Sequence, residues 1–265
     1  MKSKALIAIL AITVLTLAGC KGGKSDGPMT FSIEGKLANA AGKTLYIEEM
    51  TPDNGAQFID SIRCDGDGRF SFEGTMTYQT FFNLHTSAYD YIVLLPNDGE
   101  KISVSGDAND LGSSYMVDGS PESRLMWQIQ SYINDANKTI ADIAQQDKQN
   151  RATLSEAEYE KAHSVTDSIF IAEHNLVGVM FLNFIEDNSG SLSTLYAVDA
   201  PFNRSGRVFY AESDFEVFET VLEGLEEHIP DNPHTQYYRT RVERARSART
   251  IAQQQQQPGQ EFIVE

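Results

Sequence analysis

The sequence predicts an α+β protein in which an antiparallel β-sandwich or open barrel comes first and a helical hairpin with further helices follows. Two changes of pattern carry this prediction. From Met29 to about residue 118, apolar and polar residues alternate with a period of two, which is typical of strands with one buried face. After Gly119, apolar residues recur every three or four positions, as in amphipathic helices. A chain of 265 residues has room for both parts.

Short alternating segments make up the predicted β part. Turns rich in Gly, Asn and Asp separate them, and such residues provide positive φ angles and hydrogen bonds to the turn backbone. Seven or eight strands at this spacing are typical of an antiparallel sandwich or open barrel. The seven segments are residues 31–37, 45–47, 57–63, 69–73, 80–85, 91–95 and 101–105.

A long helix is predicted to begin at Pro121. Ser120 can cap this helix, proline suits its first position, and Glu122 complements its positive end. The apolar stripe of the helix extends to Ile143. The polar stretch 146–152 then predicts a turn.

A second helix is predicted to begin at a capping box formed by residues 153–156 (Thr-Leu-Ser-Glu). Because a short loop joins the two helices, we expect them to pack through their apolar stripes as an antiparallel hairpin. Shorter helices are predicted over residues 191–198, 214–228 and 234–252. The predicted buried stripe of the second helix comprises Ala162, Val165, Ile169, Ala172, Leu176, Val179 and Phe184.

The N-terminus has the features of a secretory signal. Two lysines precede an apolar run, residues 5–18, which is too short to cross the hydrocarbon core because crossing takes about 20 helical residues. Residues 17–20 (Leu-Ala-Gly-Cys) resemble the lipobox of bacterial lipoproteins. That resemblance implies a leader that ends just before Cys20 and a lipid anchor on Cys20, since more than one acyl chain gives stable membrane binding. An ordinary secretory signal with a chance cysteine is the alternative.

These features divide the chain into five segments. We expect a membrane-anchored protein of the cell envelope, because the sequence predicts a lipidated leader. The absence of acidic residues directly after Cys20 favours a periplasm-facing position, and the choice between inner and outer membrane stays open. The segments are a signal peptide (1–19), a flexible tether (20–28), a β-sandwich domain (29–118), a helical domain (119–252) and a Gln-rich linker or tail (253–265).

Charge and cysteine content exclude several classes of function. The formal net charge is −17, so the chain lacks the basic footprint that nucleic-acid binding requires. Acylation of Cys20 leaves Cys64 as the single thiol, and no Cys-x-x-Cys motif occurs. A self-contained dithiol oxidoreductase is therefore excluded, and Cys64 is predicted to be a strand residue and not a nucleophile.

Four short motifs follow one another in the β part, namely residues 31–35 (Phe-Ser-Ile-Glu-Gly), 45–47 (Leu-Tyr-Ile), 59–61 (Ile-Asp-Ser) and 68–74 (Gly-Arg-Phe-Ser-Phe-Glu-Gly). In this order they resemble the N-terminal domain of unknown function, of the DUF4369 type, found in Bacteroidetes lipoproteins. Many such relatives continue into a thioredoxin-like thiol:disulfide oxidoreductase domain of the TlpA type. Residues 258–262 of this chain resemble the start of that domain. The catalytic cysteines of that domain are absent here, so the resemblance implies no redox activity for this chain.

No residue pattern forms a recognisable catalytic, metal or cofactor site. Residues 65–68 (Asp-Gly-Asp-Gly) are similar to the start of a calcium loop, but Arg69 occupies a ligand position, so we predict a hairpin turn. His163 and His174 are too far apart on one helix to bind the same metal, since helical ligands are three or four residues apart. Ser61 lacks both the G-x-S-x-G elbow and an assigned histidine partner.

Aromatic residues are the remaining signal. We interpret them as a core packed between sheet and helices, and the alternative is an exposed cleft at that junction for a small apolar ligand or a glycan. The sequence thus favours a non-catalytic binding or scaffolding module, with a protein, small molecule or glycan as its ligand. The rival hypotheses are the N-terminal portion of a TlpA-like thiol:disulfide oxidoreductase whose redox domain is missing, and a hydrolase with an unrecognised site. The aromatic residues are Phe81, Phe82, Tyr89, Tyr91, Tyr115 and Trp127.

Overall fold

A computed structural model describes residues 27–53, 55–202 and 206–255. The predicted signal peptide, the acylation site Cys20, most of the tether and residues 256–265 of the tail lie outside the described residues. Within them, strands in two sheets come first and helices follow, and neither sheet closes into a barrel. The predicted α+β class is confirmed, with an open sandwich as its β part.

The strands are β1 (Met29–Ala38), β2 (Thr44–Met50), β3 (Ala56–Arg63), β4 (Arg69–Met76), β5 (Phe81–Ser87), β6 (Asp90–Leu94), β7 (Lys101–Asp107) and β8 (Met116–Asp118). Sheet A has the order β4-β1-β7-β8, and sheet B the order β3-β2-β5-β6. Seven of these strands match the predicted segments. One pairing differs from the antiparallel expectation, because β1 and β7 run parallel, with Ile33 opposite Ile102.

Alternation places every second side chain of several strands, such as β1 and β4, between the two sheets, whereas β3 is exposed along almost its whole length. Gly35 on β1 lets the strands and the core approach closely, since a Cβ there would lie 2.1 Å from the carbonyl oxygen of Val104 and 2.7 Å from the Phe70 ring. The strands thus enclose one continuous apolar core. It includes Phe31, Ile33, Leu45, Ile47, Phe72, Phe82, Leu84, Ile92, Leu94, Ile102 and Val104.

The helices are α1 (Leu111–Ser114), α2 (Pro121–Thr153), α3 (Glu156–Asp187), α4 (Ser193–Val198), α5 (Phe215–His228) and α6 (Pro233–Gln255). Helices α2 to α6 form a second core against the outer face of sheet B, to which Phe81, Val93 and Leu95 contribute, whereas Leu111 of α1 packs in the sandwich core. Sheet B is therefore buried on both faces at one end. The last helix extends to Gln255, so the first residues of the predicted Gln-rich tail are helical.

The start of α2 agrees with the sequence prediction and joins the two parts of the protein. Ser120 is the N-cap residue, and its hydroxyl accepts a hydrogen bond from the Ser123 N–H at 3.2 Å. The Ser123 hydroxyl in turn accepts from the N–H of Leu95, directly after β6, at 3.0 Å. All three residues are buried, so these bonds satisfy polar groups that would otherwise destabilise the junction.

The hairpin of α2 and α3 is present, but its turn was predicted in the wrong place. Residues 146–152 continue α2, and Gln146 donates a side-chain hydrogen bond to Asn150 at 3.0 Å, one helical turn away. The capping box uses Ser155 and Glu158, two residues later than predicted. The connection between the two helices is therefore only Leu154 and Ser155. The polar residues 146–152 stay helical because a helix that extends into solvent can carry polar side chains on every face.

The predicted buried stripe of α3 is also wrong. Of its seven members only Phe184 is buried, whereas Val165, Ile169, Leu176 and Val179 are exposed. The helix has apolar residues on two opposite faces, and the sequence prediction chose the outer one. The residues that bury the inner face are Tyr159, Val177, Phe181, Phe184 and Ile185.

Candidate functional site

A cavity of about 310 Å³ lies where the outer face of sheet B meets α4 and α6. This volume is at the lower end of the range for small-ligand pockets, which is about 300–1,000 Å³. The cavity lies beside the second core but is not filled by it. Side chains of β2, β5 and β6 form its floor, and its walls are formed by α4, α6, Asp199, Pro201 and Arg207.

Strand register determines which side chains form the floor. On β5, Phe81 and Asn83 point to the cavity side, while the residues between and after them face the sandwich core. Met50 of β2 pairs with Phe81, and Val93 of β6 pairs with Asn83. The Asn83 side-chain amide lies 3.0 Å from the sulfur of Met50. The floor is therefore mainly apolar, with one amide near its middle.

A buried histidine holds α6 against this floor. The Nε2 atom of His234 lies 2.8 Å from the hydroxyl of Thr80, and that hydroxyl donates its proton to the Met50 carbonyl at 2.9 Å. Since the hydroxyl proton is already used, His234 must donate from Nε2. The ring also packs edge-on against Phe81, with 5.2 Å between centroids. Burial lowers the pKa of His234 to about 4, so the ring is neutral at pH 7.

An ion-pair cluster forms one wall. Asp199, directly after α4, binds both terminal nitrogens of Arg241 on α6 and also the Arg207 guanidinium, at 2.8 Å. The hydrogen bond to Asp199 raises the pKa of Arg241 above its already high usual value. The Arg241 guanidinium also lies 5.6 Å from the Phe218 ring centroid and 5.7 Å from that of Tyr238. This cluster fixes α4 against α6 and leaves Arg207 partly exposed.

Tyrosines supply most of the accessible aromatic surface of the cavity. Tyr91 of β6 and Tyr237 of α6 are 39% and 43% exposed. Burial, together with the neighbouring Tyr91 hydroxyl, raises the pKa of Tyr196 well above its usual value, so Tyr196 keeps its proton. Each tyrosine presents an apolar ring and a hydroxyl that can both donate and accept. The cavity therefore offers ring faces and hydrogen-bonding groups together.

The described lining is suited to recognition more than to catalysis. It contains no serine, cysteine or lysine among the residues that the structure describes. Its carboxylate, Asp199, forms ion pairs with two guanidinium groups. Its histidine, His234, is hydrogen-bonded to a hydroxyl and not to a carboxylate. A general base needs a free lone pair aimed at a substrate, and nucleophilic catalysis needs a nucleophile beside that base.

The residues that the sequence analysis considered are scattered. Cys20, the predicted lipidation site, lies outside the described residues. Cys64 is buried in the sandwich core, and burial, with Asp65 as a second cause, raises the pKa of its thiol. A raised thiol pKa is the opposite of what a reactive thiolate requires. Ser61 lies on the exposed strand β3, away from the cavity.

The candidate metal ligands have local structural partners. His163 binds Asp147 at 2.8 Å, and His174 packs edge-on against Phe202 with 4.6 Å between centroids. In the turn 65–68, Asp65 accepts hydrogen bonds from the N–H groups two and four residues later, both at 2.8 Å. Over residues 27–53, 55–202 and 206–255, no group of three or more His, Cys, Asp or Glu side chains is suited to a metal.

Two of the six aromatic residues considered from the sequence line the cavity, Phe81 and Tyr91. Phe82 and Tyr115 are in the sandwich core, and Tyr89 is 98% exposed beyond the cavity. The sixth, Trp127, packs partly buried against that core and donates its Nε1–H to the Tyr115 carbonyl at 2.9 Å. The aromatic residues therefore form both a core and part of a cleft.

The sequence analysis missed the side chains of the helical wall. Tyr237 and Arg241 are four residues apart on α6, so they share one helix face, and this spacing was the one available signal. Nothing in the sequence pattern placed Asp199, Tyr196 or Arg207 beside them. Their proximity depends on how α4 packs on α6, which periodicity does not determine.

The fold and the cavity define an α+β protein with a ligand-sized junction pocket and no assembled catalytic group among its described residues. Residues 31–126 match the family model of a domain of unknown function, DUF4369. The match covers the sandwich from β1 through the first residues of α2, and it confirms the family resemblance expected from the sequence motifs. No curated protein matches the chain.

Similarity to solved structures is distant. A protein from Eubacterium rectale, solved by NMR, is 15% identical over 37% of this chain and 95% of its own, with a TM-score of 0.23. A crystal structure of a candidate cell adhesion protein from Bacteroides ovatus ATCC 8483 is 9% identical over 35% of this chain and 43% of its own, with a TM-score of 0.22. At these TM-scores the similarities support no functional argument.

Proposed function

We propose that this protein is a periplasm-facing lipoprotein of the cell envelope, anchored through acylated Cys20, whose folded part is a non-catalytic module that binds a glycan in the junction cavity. The observation that carries the binding proposal is the cavity itself, with its volume of about 310 Å³ and its exposed tyrosines. A DUF4369 domain match over residues 31–126 is compatible with a non-catalytic module.

The chemistry of the lining favours a glycan. A sugar ring has apolar C–H faces and a rim of hydroxyls, so it needs aromatic faces and hydrogen-bonding groups side by side. Tyr91 and Tyr237 provide ring faces with accessible area, and Asn83 and the outer N–H groups of Arg207 provide polar contacts. Because Asp199 already neutralises part of the arginine charge, the cavity does not require an anionic ligand.

A binding experiment with one matched control tests this proposal. The full chain is screened on an array of bacterial envelope oligosaccharides, and the best of these is titrated by calorimetry against the unsubstituted protein, Tyr237→Ala and Tyr89→Ala. We expect Tyr237→Ala to weaken binding at least tenfold, which corresponds to about 1.4 kcal/mol, because it removes a ring face of the cavity. Tyr89→Ala removes an equal ring outside the cavity and should leave affinity unchanged.

Two results would contradict the glycan proposal. One is the absence of binding to every oligosaccharide on the array. The other is an equal loss of affinity in the Tyr89 and Tyr237 variants, which would place the ligand elsewhere on the protein. Circular dichroism of both variants shows whether the fold is intact, so a loss of binding through unfolding is recognised.

A further inference from the structure

The outer face of α3 carries an unusual set of apolar residues. We define the α3 seam as Val165, Ile169, Ala172, Leu176 and Val179. Its members are spaced by four, three, four and three residues, which is the heptad spacing of helices that pack along their length. Ile171 and Leu182 are also exposed but lie further round the helix, beyond the polar residues Ser168 and Asn175. The six large apolar side chains of the two sets are between 38% and 59% exposed.

The seam is separate from the contacts that hold α3 in the protein. The buried residues Val177, Phe181 and Phe184 lie on the opposite side of the helix, so the seam contributes nothing to either core. Exposed apolar residues are normal when single, but a row on one helix face is typical of an interaction surface. The spacing indicates a helix as its partner.

We propose that the α3 seam binds the α3 seam of a second copy of this chain, antiparallel, about a twofold axis that passes Ala172. A twofold interface must be self-complementary, so each residue must suit its symmetry mate. The order of side chains along the seam is nearly the same from either end, with Ala172 at the centre. Antiparallel pairing places Val165 against Val179 and Ile169 against Leu176, and the small Ala172 meets its own copy where the helices come closest.

The polar residues beside the seam suit the same register. Lys161 and Glu186 lie on one flank of α3, on the same side of the seam. In the antiparallel pair this flank faces its own copy, so Lys161 of one copy lies near Glu186 of the other. Ser168 and Asn175 of the same flank come opposite each other in the same way. In a parallel pair this flank lies on opposite sides of the interface in the two copies, so Lys161 and Glu186 do not meet.

The seam offers a continuous apolar surface to a second helix. Its four large side chains, Val165, Ile169, Leu176 and Val179, are each between 49% and 57% exposed. The seam is about 22 Å long, so it can be covered along its whole length by an equal helix.

A membrane is a less suitable partner for this surface. Among the described residues, α3 is the one helix whose length and composition would allow a membrane span, but its inner face packs in the protein core. Helices that lie on membranes carry lysines and arginines on the polar face. Seven carboxylates and one lysine occur in α3, and the chain has a net charge of −17, so anionic lipid headgroups would repel it.

Cysteine crosslinking in the full chain tests the pairing and its direction. We expect Ala172→Cys to form a disulfide-linked dimer on mild oxidation of cell extracts, because its two copies meet at the axis. Val165→Cys alone should not crosslink, whereas Val165→Cys co-expressed with Val179→Cys should give a mixed dimer. Cys64 is buried and Cys20 is changed to serine in every variant, so neither competes, and the chain without a new cysteine gives the background.

Charge substitutions test the energetics without a crosslink. Ile169→Glu and Leu176→Glu, introduced together, should weaken self-association at least a hundredfold in sedimentation velocity and leave helicity unchanged, because these side chains are solvent-exposed in one copy. Gln149→Glu, at an exposed position of α2, is the matched control and should not change self-association.

Three outcomes would overturn the proposal. The first is an unsubstituted chain that stays monomeric at all concentrations, together with an Ala172→Cys variant that gives no crosslink. The second is self-crosslinking of Val165→Cys as efficient as that of Ala172→Cys, which would mean parallel helices. The third is a monomer in which Ala172→Cys is shielded from a maleimide reagent, which would mean that another protein or a membrane covers the seam.

Discussion

His234 shows how a single residue can connect two parts of a protein. Its ring is buried, donates to Thr80 and packs against Phe81, so it fixes the start of α6 on sheet B. Thr80 and His234 are 154 residues apart, and no local pattern in the sequence relates them. Sequence analysis therefore placed Thr80 in a strand and His234 at a helix start, but could not predict their contact.

The buried histidine predicts a dependence of stability on pH. Its pKa is about 4 in the folded protein, against 6.5 for an unperturbed histidine, so the unfolded chain binds the proton first as the pH falls. The contribution of His234 to stability is complete above pH 6.5 and is lost between pH 6.5 and 4, by up to about 3 kcal/mol. Tyr78 and Tyr238 beside it stay neutral, because burial raises their pKa values.

Denaturant unfolding of the unsubstituted chain and of His234→Gln, at several pH values between 7 and 4, measures this effect. The glutamine amide can still donate to Thr80 but does not titrate. We expect the free energy of unfolding of the variant to fall less steeply with decreasing pH than that of the unsubstituted chain. Parallel pH profiles for the two proteins would show that His234 is not the cause.

At the level of elements, periodicity predicted the strands and helices well because several of them have one dominant buried face. β4 is the clearest case, with alternate residues exposed and buried along its whole length. α3 is the exception. Apolar residues follow its helical period on two faces, and a period alone does not say which face meets the core. The prediction chose the face that contains Ile169 and Leu176, and both are exposed.

Replacement by alanine is expected to have opposite effects on stability at two glycines that lie within helices. A Cβ on Gly178 in α3 would have no atom within 4 Å, whereas one on Gly224 in α5 would lie 2.3 Å from the Ser189 hydroxyl. Alanine is favoured over glycine inside a helix by about 1 kcal/mol. Gly178→Ala should therefore stabilise the protein by about 0.5–1 kcal/mol, and Gly224→Ala should destabilise it because α5 and the loop before α4 must separate.

Thermal or denaturant unfolding of the two variants measures these changes, and each variant is the control for the other. Equal shifts in the same direction would mean that packing at Gly224 does not matter. The comparison also tests the α5 position directly, since helix propensity is the same in both cases and cancels in the difference.

At the level of the whole molecule, the predicted anchor sets where the folded part must function. We expect the full chain to appear in the membrane fraction with its leader removed and its mass increased by acyl chains. Cys20→Ser should abolish both the acylation and the membrane association, because one thiol carries the lipid. Cys64→Ser is the matched control, since that thiol is buried in the sandwich, and it should fractionate like the unsubstituted chain.

Fractionation followed by intact-mass measurement distinguishes the outcomes. If Cys20→Ser were cut at the same position and stayed in the membrane, the lipoprotein assignment would be wrong. A mass in the native cells far above that of the acylated chain would instead favour the rival hypothesis, in which these residues precede a redox domain.

The position of β1 within sheet A has a consequence for when the sandwich can form along the growing chain. β1 pairs with β4 on one side and in parallel with β7 on the other, so the first strand of the sequence is the second in the sheet. Its partner β7 begins at Lys101, and pairing segments so far apart in the sequence slows folding, because the loop between them must close before the contacts form. The complete sandwich therefore cannot form until residues beyond 100 are available.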